Sequence, residues 1–188
     1  MDIAHKDKPH VWVVRGDPGV GKSTLVRRVV DEVRTKGFVV GGFTTQDIRS
    51  HGSRTGFEIH DLMSKRRGVL ASTTLGVGPK IGRYKVNLSD LSEIATKSIL
   101  ESLSTADLVV CDELGPMELL SPEFRRAVKS MIDSGRPIFC STHNKLTDPL
   151  IADLKNSPLS ELYSVDLSNR EPLVAELSIS IIRYLDRR

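Results

Sequence analysis

Val11-Trp12-Val13-Val14-Arg15-Gly16-Asp17-Pro18-Gly19-Val20-Gly21-Lys22-Ser23-Thr24-Leu25-Val26-Arg27-Arg28 is the stretch on which the reading of this chain turns. Val11 to Arg15 is a short apolar run with β-branched residues, long enough for a buried strand and too short for a helix. Gly16 to Thr24 fits G-x-x-x-x-G-K-[ST], the phosphate-binding loop. Leu25, Val29 and Val33, with Val26 and Val30 beside them, open a helical pattern. Strand, glycine loop and helix come in the order the motif needs.

Each position in the loop Gly16, Asp17, Pro18, Gly19, Val20, Gly21, Lys22, Ser23, Thr24 follows from what a polyphosphate demands. Gly16, Gly19 and Gly21 let the backbone curl closely around phosphate oxygens and take φ > 0. The inward N–H groups form an anion nest, and the helix starting near Lys22 adds the positive end of its dipole. Lys22 would reach the β- and γ-phosphates, Ser23 would ligate Mg²⁺, and Thr24 would lie near the α-phosphate. Pro18 fixes φ. Asp17 is an acid beside phosphate and is expected to face solvent.

The rest of the chain has the size and balance of one domain, 1–188. It has 188 residues, 39% hydrophobic and 27% charged, a soluble globular mix. A net charge of +3 does not mark a nucleic-acid binder, so nucleic acid is left open as a partner. Residues 1–9 are a polar lead-in, expected to be loose and without the apolar core of a signal peptide. No apolar run approaches a membrane span. Cys111 and Cys140, the only cysteines, each sit in an apolar strand-like run and do not make a disulfide framework. A cytoplasmic protein with no membrane partner is the expectation, as is a monomer. The five histidines, His5, His10, His51, His60 and His143, show no metal-ligand spacing.

Downstream, strands alternate with helices. Gly37 should stop the first helix. Phe38 to Thr45 reads as a strand in which Gly41 and Gly42 imply a bulge or a close backbone approach. Period-two alternation over Gly56 to Leu62, a charged turn at Ser64 to Gly68 and a short strand at Val69 to Ala71 read as an inserted antiparallel hairpin, about residues 49–71. Gly76 to Gly82 is glycine-rich and expected to be mobile, and Arg83 to Asn87 is a further strand. Leu88 to Leu103 has helical spacing with Ser89 as its cap, and Ser121-Pro122 opens another helix that Gly135 ends. Asp107 to Asp112, Pro137 to Ser141 and Leu162 to Val165 read as strands, and Leu173 to Leu185 as the last helix. This alternation predicts an α/β fold: a mainly parallel sheet covered on both faces, with ligands at the carboxyl ends of the strands.

Leu108-Val109-Val110-Cys111-Asp112-Glu113 has the form of a Walker B strand. Asp112 would hold Mg²⁺ with Ser23, and Glu113 would orient and deprotonate an attacking water. Thr142 and His143, at the end of the next strand, are candidates to sense the γ-phosphate. Arg83 and Lys85 flank the glycine-rich segment and are the favoured extra cations for phosphoryl transfer. Asn169 and Arg170 follow the final strand, where either base contact or helix capping suits them.

Taken together, these motifs resemble the nucleoside-triphosphatase family first described in thermophiles, found in animals as the cancer-related nucleoside-triphosphatase. Gly16 to Leu25 is similar to its phosphate loop, and Gly42-Phe43-Thr44-Thr45 to its second-strand motif. Gly56-Phe57-Glu58 falls where the family has its hairpin, and Gly82 to Val86 resembles its glycine-basic-tyrosine motif. Asp112-Glu113-Leu114-Gly115-Pro116-Met117-Glu118-Leu119 is the most specific match, and Asn169-Arg170 matches a late one. Asp17 and Phe43-Thr44-Thr45 depart from the family's usual residues. The resemblance implies a RecA-like P-loop fold of the ASCE type, a three-layer sandwich. It also implies Mg²⁺-dependent hydrolysis of ATP, GTP and other nucleoside triphosphates, with CTP and UTP as further candidates. Two alternatives stand beside hydrolysis: a kinase passing the γ-phosphate to a nucleotide or polynucleotide, and a non-catalytic nucleotide-dependent binding module.

Overall fold

β1 (Val11–Gly16) has its first four side chains buried, as a strand covered on both faces must. Alternation along it sorts the core into two layers. Trp12 and Val14 pack with Leu25, Val29 and Val33 of α1 (Lys22–Thr35) and with Leu177 and Ile181 of α6 (Arg170–Leu185). Val11 and Val13 face the other side. There they share a core with Ile99 of α3 (Lys97–Thr105), Phe124 and Met131 of α4 (Pro122–Asp133), and Ile151 of α5 (Pro149–Asn156). The result is the three-layer sandwich the alternation predicts. This computed structural model describes residues 10–188, and the expected loose lead-in at 1–9 lies outside the described residues.

The remaining strands are β2 (Val40–Ser50), β3 (Ser53–Asp61), β4 (Arg67–Ser72), β5 (Lys80–Ile81), β6 (Tyr84–Val86), β7 (Leu108–Leu114), β8 (Ile138–His143) and β9 (Ser160–Ser164). They form one sheet in the order β5-β6-β4-β3-β2-β7-β8-β1-β9. From β2 to β9 every pairing is parallel, and from β2 to β5 every pairing is antiparallel. β8 lies between β1 and β7, so the strand carrying the glycine loop and the strand ending in Asp112-Glu113 are one strand apart.

The antiparallel part is larger than the hairpin expected at 49–71. β2 pairs with β7 through Thr44, while its pairing with β3 already begins at Phe43, and two more strands follow to Val86. The physical reason is that β2 is one pleated run with two partners, so the inserted part has no turn at its start. Gly42 takes φ 91°, and a Cβ there would run into the Val110 backbone, so the close approach implied by the glycine pair is real. Its N–H turns to α3, where Ser102 Oγ accepts it at 2.7 Å, and its carbonyl accepts both the Ser98 hydroxyl of α3 and the Leu62 N–H, the latter at 2.9 Å.

Two further expectations change. The helix at Leu88 is capped by Asn87, whose Oδ1 accepts the Asp90 N–H at 3.1 Å, and not by Ser89. It runs from α2 (Leu88–Asp90) through a π-helical stretch, Leu91–Thr96, into α3; Thr96 Oγ1 donates to the Leu91 carbonyl at 3.1 Å within that wider turn. The glycine-rich segment is tied down where Val86 N donates to Pro79 O at 2.8 Å and Lys85 Nζ to Gly76 O at 2.6 Å. By contrast, Ser121 caps α4 as expected, accepting from Phe124 N at 3.1 Å, with Gly135 past its end at φ 65°. Cys111 and Cys140 are register partners, both free and buried. No helix among the described residues is long and apolar enough to cross a membrane.

Candidate active site

The loop after β1 curls because Gly19 and Gly21 sit at φ 85° and 97°. Gly16 is a glycine for a different reason than the expected positive φ: a Cβ there would lie 2.8 Å from the Val165 carbonyl oxygen. Asp17, Pro18 and Gly19 are exposed, with Asp17 turned to solvent as expected, and Val20, Ser23 and Thr24 are half-buried. Lys22, the first residue of α1, is 6% exposed. Its ammonium folds back over the loop, donating to Gly16 O at 2.9 Å and to Asp17 O at 3.3 Å.

That ammonium also meets Glu113 Oε2 at 3.3 Å. The two sequence motifs therefore converge on one rim of the sheet. Asp112, one residue earlier on β7, is fully buried. Its Oδ1 accepts the Ser141 hydroxyl from β8 at 2.5 Å, and its Oδ2 is buried with no hydrogen-bond partner. Burial pushes the Asp112 carboxyl up to about 6, and hydrogen bonds from Ser141 and Ser23 pull it back down. The Asp112–Glu113 peptide is cis. An orphaned carboxylate oxygen beside a serine hydroxyl is a set of hard oxygen donors, which suits Mg²⁺.

Around this centre the candidates divide. Thr142 on β8 is buried with its Oγ1 unpartnered, whereas His143 spends Nδ1 accepting the Lys145 N–H at 3.0 Å. Of the two, Thr142 keeps a free polar atom at the rim. Arg170 lies over the loop: a Cβ on Gly21 would sit 2.6 Å from its Nη1 and 2.9 Å from its Cδ. Asn169 is occupied in its own turn, donating Nδ2 to Ser164 O at 2.9 Å and accepting the Asp166 N–H at 2.9 Å. Arg83 and Lys85 are not brought to the loop. β6 stands six strands from β1, about 29 Å along the sheet. Arg83 there donates to Arg54 O at 2.5 Å and lies over the Tyr84 ring.

Two residues were missed by pattern reading. Ser141 is a hydroxyl ending the apolar run Ile138-Phe139-Cys140, and that break in hydrophobicity was the available signal. Glu118, four residues past the end of β7, is 4% exposed; its signal is its place in the Asp112–Leu119 stretch, which carried no role for it.

A parallel core in the order β2-β7-β8-β1-β9, a phosphate loop after β1 and an acidic pair ending β7 define a P-loop nucleotide-binding protein of RecA-like build. Residues 11–178 match the NTPase family, and the chain belongs to that family. Among curated relatives, it is similar to the nucleoside-triphosphatase THEP1 of Methanothermobacter thermautotrophicus, 44% identical over 85% of this chain and 88% of that one. It is also similar to the protein of that name from Thermofilum pendens, 36% identical over 94% and 97%. Among solved structures, the crystal structure of THEP1 from the hyperthermophile Aquifex aeolicus matches with a TM-score of 0.79 at 26% identity, covering 89% of this chain and 96% of that one. The solution structure of a human cancer-related nucleoside triphosphatase matches at 0.76 and 29% identity, covering 92% and 97%.

Proposed function

We propose that this protein hydrolyses nucleoside 5′-triphosphates, ATP and GTP among them, to diphosphate and phosphate. The observation that carries the reading is the 3.3 Å approach of Lys22 Nζ to Glu113 Oε2 across the rim. It puts a phosphate-binding cation and a general base on the same small volume. The loop Gly16–Thr24 cradles the polyphosphate with its N–H groups, and Lys22 swings from the loop carbonyls to the β- and γ-phosphates. Glu113 takes a proton from water as the water oxygen bonds to the γ-phosphorus. The bond from that phosphorus to the β–γ bridging oxygen breaks, and the bridging oxygen leaves on the diphosphate. Ser23 and Asp112 would hold Mg²⁺, which when bound neutralises charge on the phosphate oxygens. Thr142, whose Oγ1 has no partner, would hydrogen-bond the γ-phosphate. Arg170, which lies against Gly21 of the loop, would contact the nucleotide from the side of α6, and Asn169 shapes the turn before it.

Each of these groups comes from one chain, so a monomer suffices for the reaction. A register pair of free thiols, Cys111 and Cys140, suits a reducing compartment, and we place the protein in the cytoplasm on that ground. The test is phosphate release across a nucleotide panel, with and without nucleotide and polynucleotide acceptors, for wild type and Glu113→Gln. Hydrolysis predicts free phosphate from wild type, and a Glu113→Gln protein that binds MgATP yet turns over at least a hundredfold more slowly, as loss of a general base implies (about 10²–10⁴-fold). Label appearing on an acceptor in place of free phosphate supports a kinase. Equal release from the two proteins removes Glu113 from the base role.

A further inference from the structure

Glu113 is held at both ends of its carboxylate. Oε2 faces Lys22, and Oε1 faces Gly115, where a Cβ would lie 3.2 Å from it. The same point above Gly115 lies 2.8 Å from Glu118 Oε2. Two carboxyl groups thus close on the one backbone position that has no side chain of its own. Glu118 begins a single 3-10 turn, Glu118–Leu120, immediately beyond β7. The backbone N–H groups of Glu118 itself and of Gly115 lie close enough to its carboxyl to favour the charged form against burial. The turn is closed further by Leu119 N donating to Gly115 O at 3.1 Å and Ser121 N to Glu118 O at 3.2 Å.

We propose that Glu118 is a positioning residue for the reaction: its buried carboxyl, packed over Gly115, forms the back wall that keeps the Glu113 carboxylate aimed at the phosphate loop. The proposal rests on Glu113 being the general base. It explains why an acid occupies a site an apolar residue would fill at less cost. A small apolar side chain leaves the space over Gly115 open, and the end of β7 that carries Glu113 then loses its brace. It also explains why two acids can crowd together. Burial first, and the nearby Glu113 charge second, push Glu118 up to about 8. Near neutral pH Glu118 is therefore uncharged and adds no second negative charge behind Glu113. Gly115 belongs to the same device, since any side chain there would separate the two carboxyls.

Steady-state hydrolysis of MgATP, affinity for a non-hydrolysable analogue and the thermal midpoint are measured for Glu118→Ala, Glu118→Gln and Glu113→Gln, and for the Glu118→Ala, Glu113→Gln double variant. Where Glu118→Ala lacks a cooperative melt, Glu118→Asp replaces it, because a shorter acid keeps the carboxyl group but withdraws it from Gly115. The expected result is a kcat about tenfold to a hundredfold lower in Glu118→Ala, the scale of a small misplacement. KM and analogue affinity stay within about twofold, since the phosphate loop is untouched. Glu118→Gln recovers most of that turnover, because its uncharged amide has the shape of the protonated carboxyl and fills the same space over Gly115. In the Glu113→Gln background Glu118→Ala lowers the residual rate no further, since there is no longer a base to aim.

An unchanged kcat in Glu118→Ala overturns the proposal. So does a loss that multiplies with Glu113→Gln, an analogue affinity that falls with kcat, or a Glu118→Gln as slow as Glu118→Ala. A fast Glu113→Gln, by contrast, overturns the base reading itself, and is seen in the single variant before Glu118 is considered.

Discussion

Lys22 would change partners on the proposed reading. In the structure its ammonium is spent on Gly16 O, Asp17 O and Glu113 Oε2. A bound triphosphate would offer the same ammonium denser negative charge, and Glu113 would be released from its ion pair as substrate enters. Lys22→Ala should therefore lower kcat/KM for ATP by about a hundredfold to a thousandfold, the scale of losing one preorganised charge-stabilising donor. Phosphate-release kinetics check this, and an undiminished value would move the phosphate site elsewhere. Glu118 gives a second prediction at this scale, on stability. Its carboxyl is raised from 4.5 to about 8 in the folded protein, by burial first. Between those values the folded state holds a proton the unfolded chain has released, so Glu118's contribution is fully present below pH 4.5 and is lost as pH rises through 8. Glu118→Gln has no proton to lose. The unfolding free energy of wild type relative to Glu118→Gln, measured by urea unfolding, should fall steadily from pH 5 to pH 8, by an amount on the order of a few kcal/mol. A difference that stays flat with pH would show that the carboxyl does not titrate late.

Among the elements, β2 is the strand on which the architecture turns. Its first half continues the parallel core beside β7, and its second half begins the antiparallel extension with β3. Gly42 sits at the changeover at positive φ, its N–H held by Ser102 of α3 and its carbonyl shared between Ser98 of α3 and the Leu62 N–H. Gly42→Ala adds a Cβ against the Val110 backbone and forces an L side chain to φ 91°. We expect it to destabilise the protein by about 3 kcal/mol or more by urea unfolding. A loss under about 1 kcal/mol would mean that β2 and β7 can part at no great expense. This element also shows where pattern reading stops. The helix of α1, the Gly37 stop and the Ser121 cap are local events, written within a few consecutive residues, and they were read correctly. The cap at Asn87 and the full length of β2 were not, because each depends on which of two neighbours a side chain or strand reaches in space.

For the whole molecule, the order β9-β1-β8-β7-β2 brings a loop near residue 20 and an acidic pair near residue 112 to one rim. The site is then a seam between segments far apart in sequence, and a ligand spanning it should staple the sheet. A non-hydrolysable triphosphate with Mg²⁺ at a hundred times its dissociation constant should stabilise the protein by about 2.7 kcal/mol. For a chain of this size that is a rise of about 5–10 °C in thermal midpoint. The same nucleotide should give a smaller rise with EDTA present, since the orphaned Asp112 Oδ2 then stays unmatched. A shift indifferent to EDTA would remove Asp112 from the metal's neighbourhood.

The sequence by itself determined the phosphate loop, the acidic pair and the α/β class. Glycines at fixed spacing, an acid ending an apolar run and alternating periodicities are local properties that do not wait for folding. Only the tertiary structure decided that Ser141 bonds Asp112, that Glu118 stands behind Glu113, and that Arg83 and Lys85 lie far along the sheet from the loop. Those relations exist because parallel pairing sets β7 beside β8 and because one buried turn folds back on its own strand. Neither contact leaves a periodic trace in the chain.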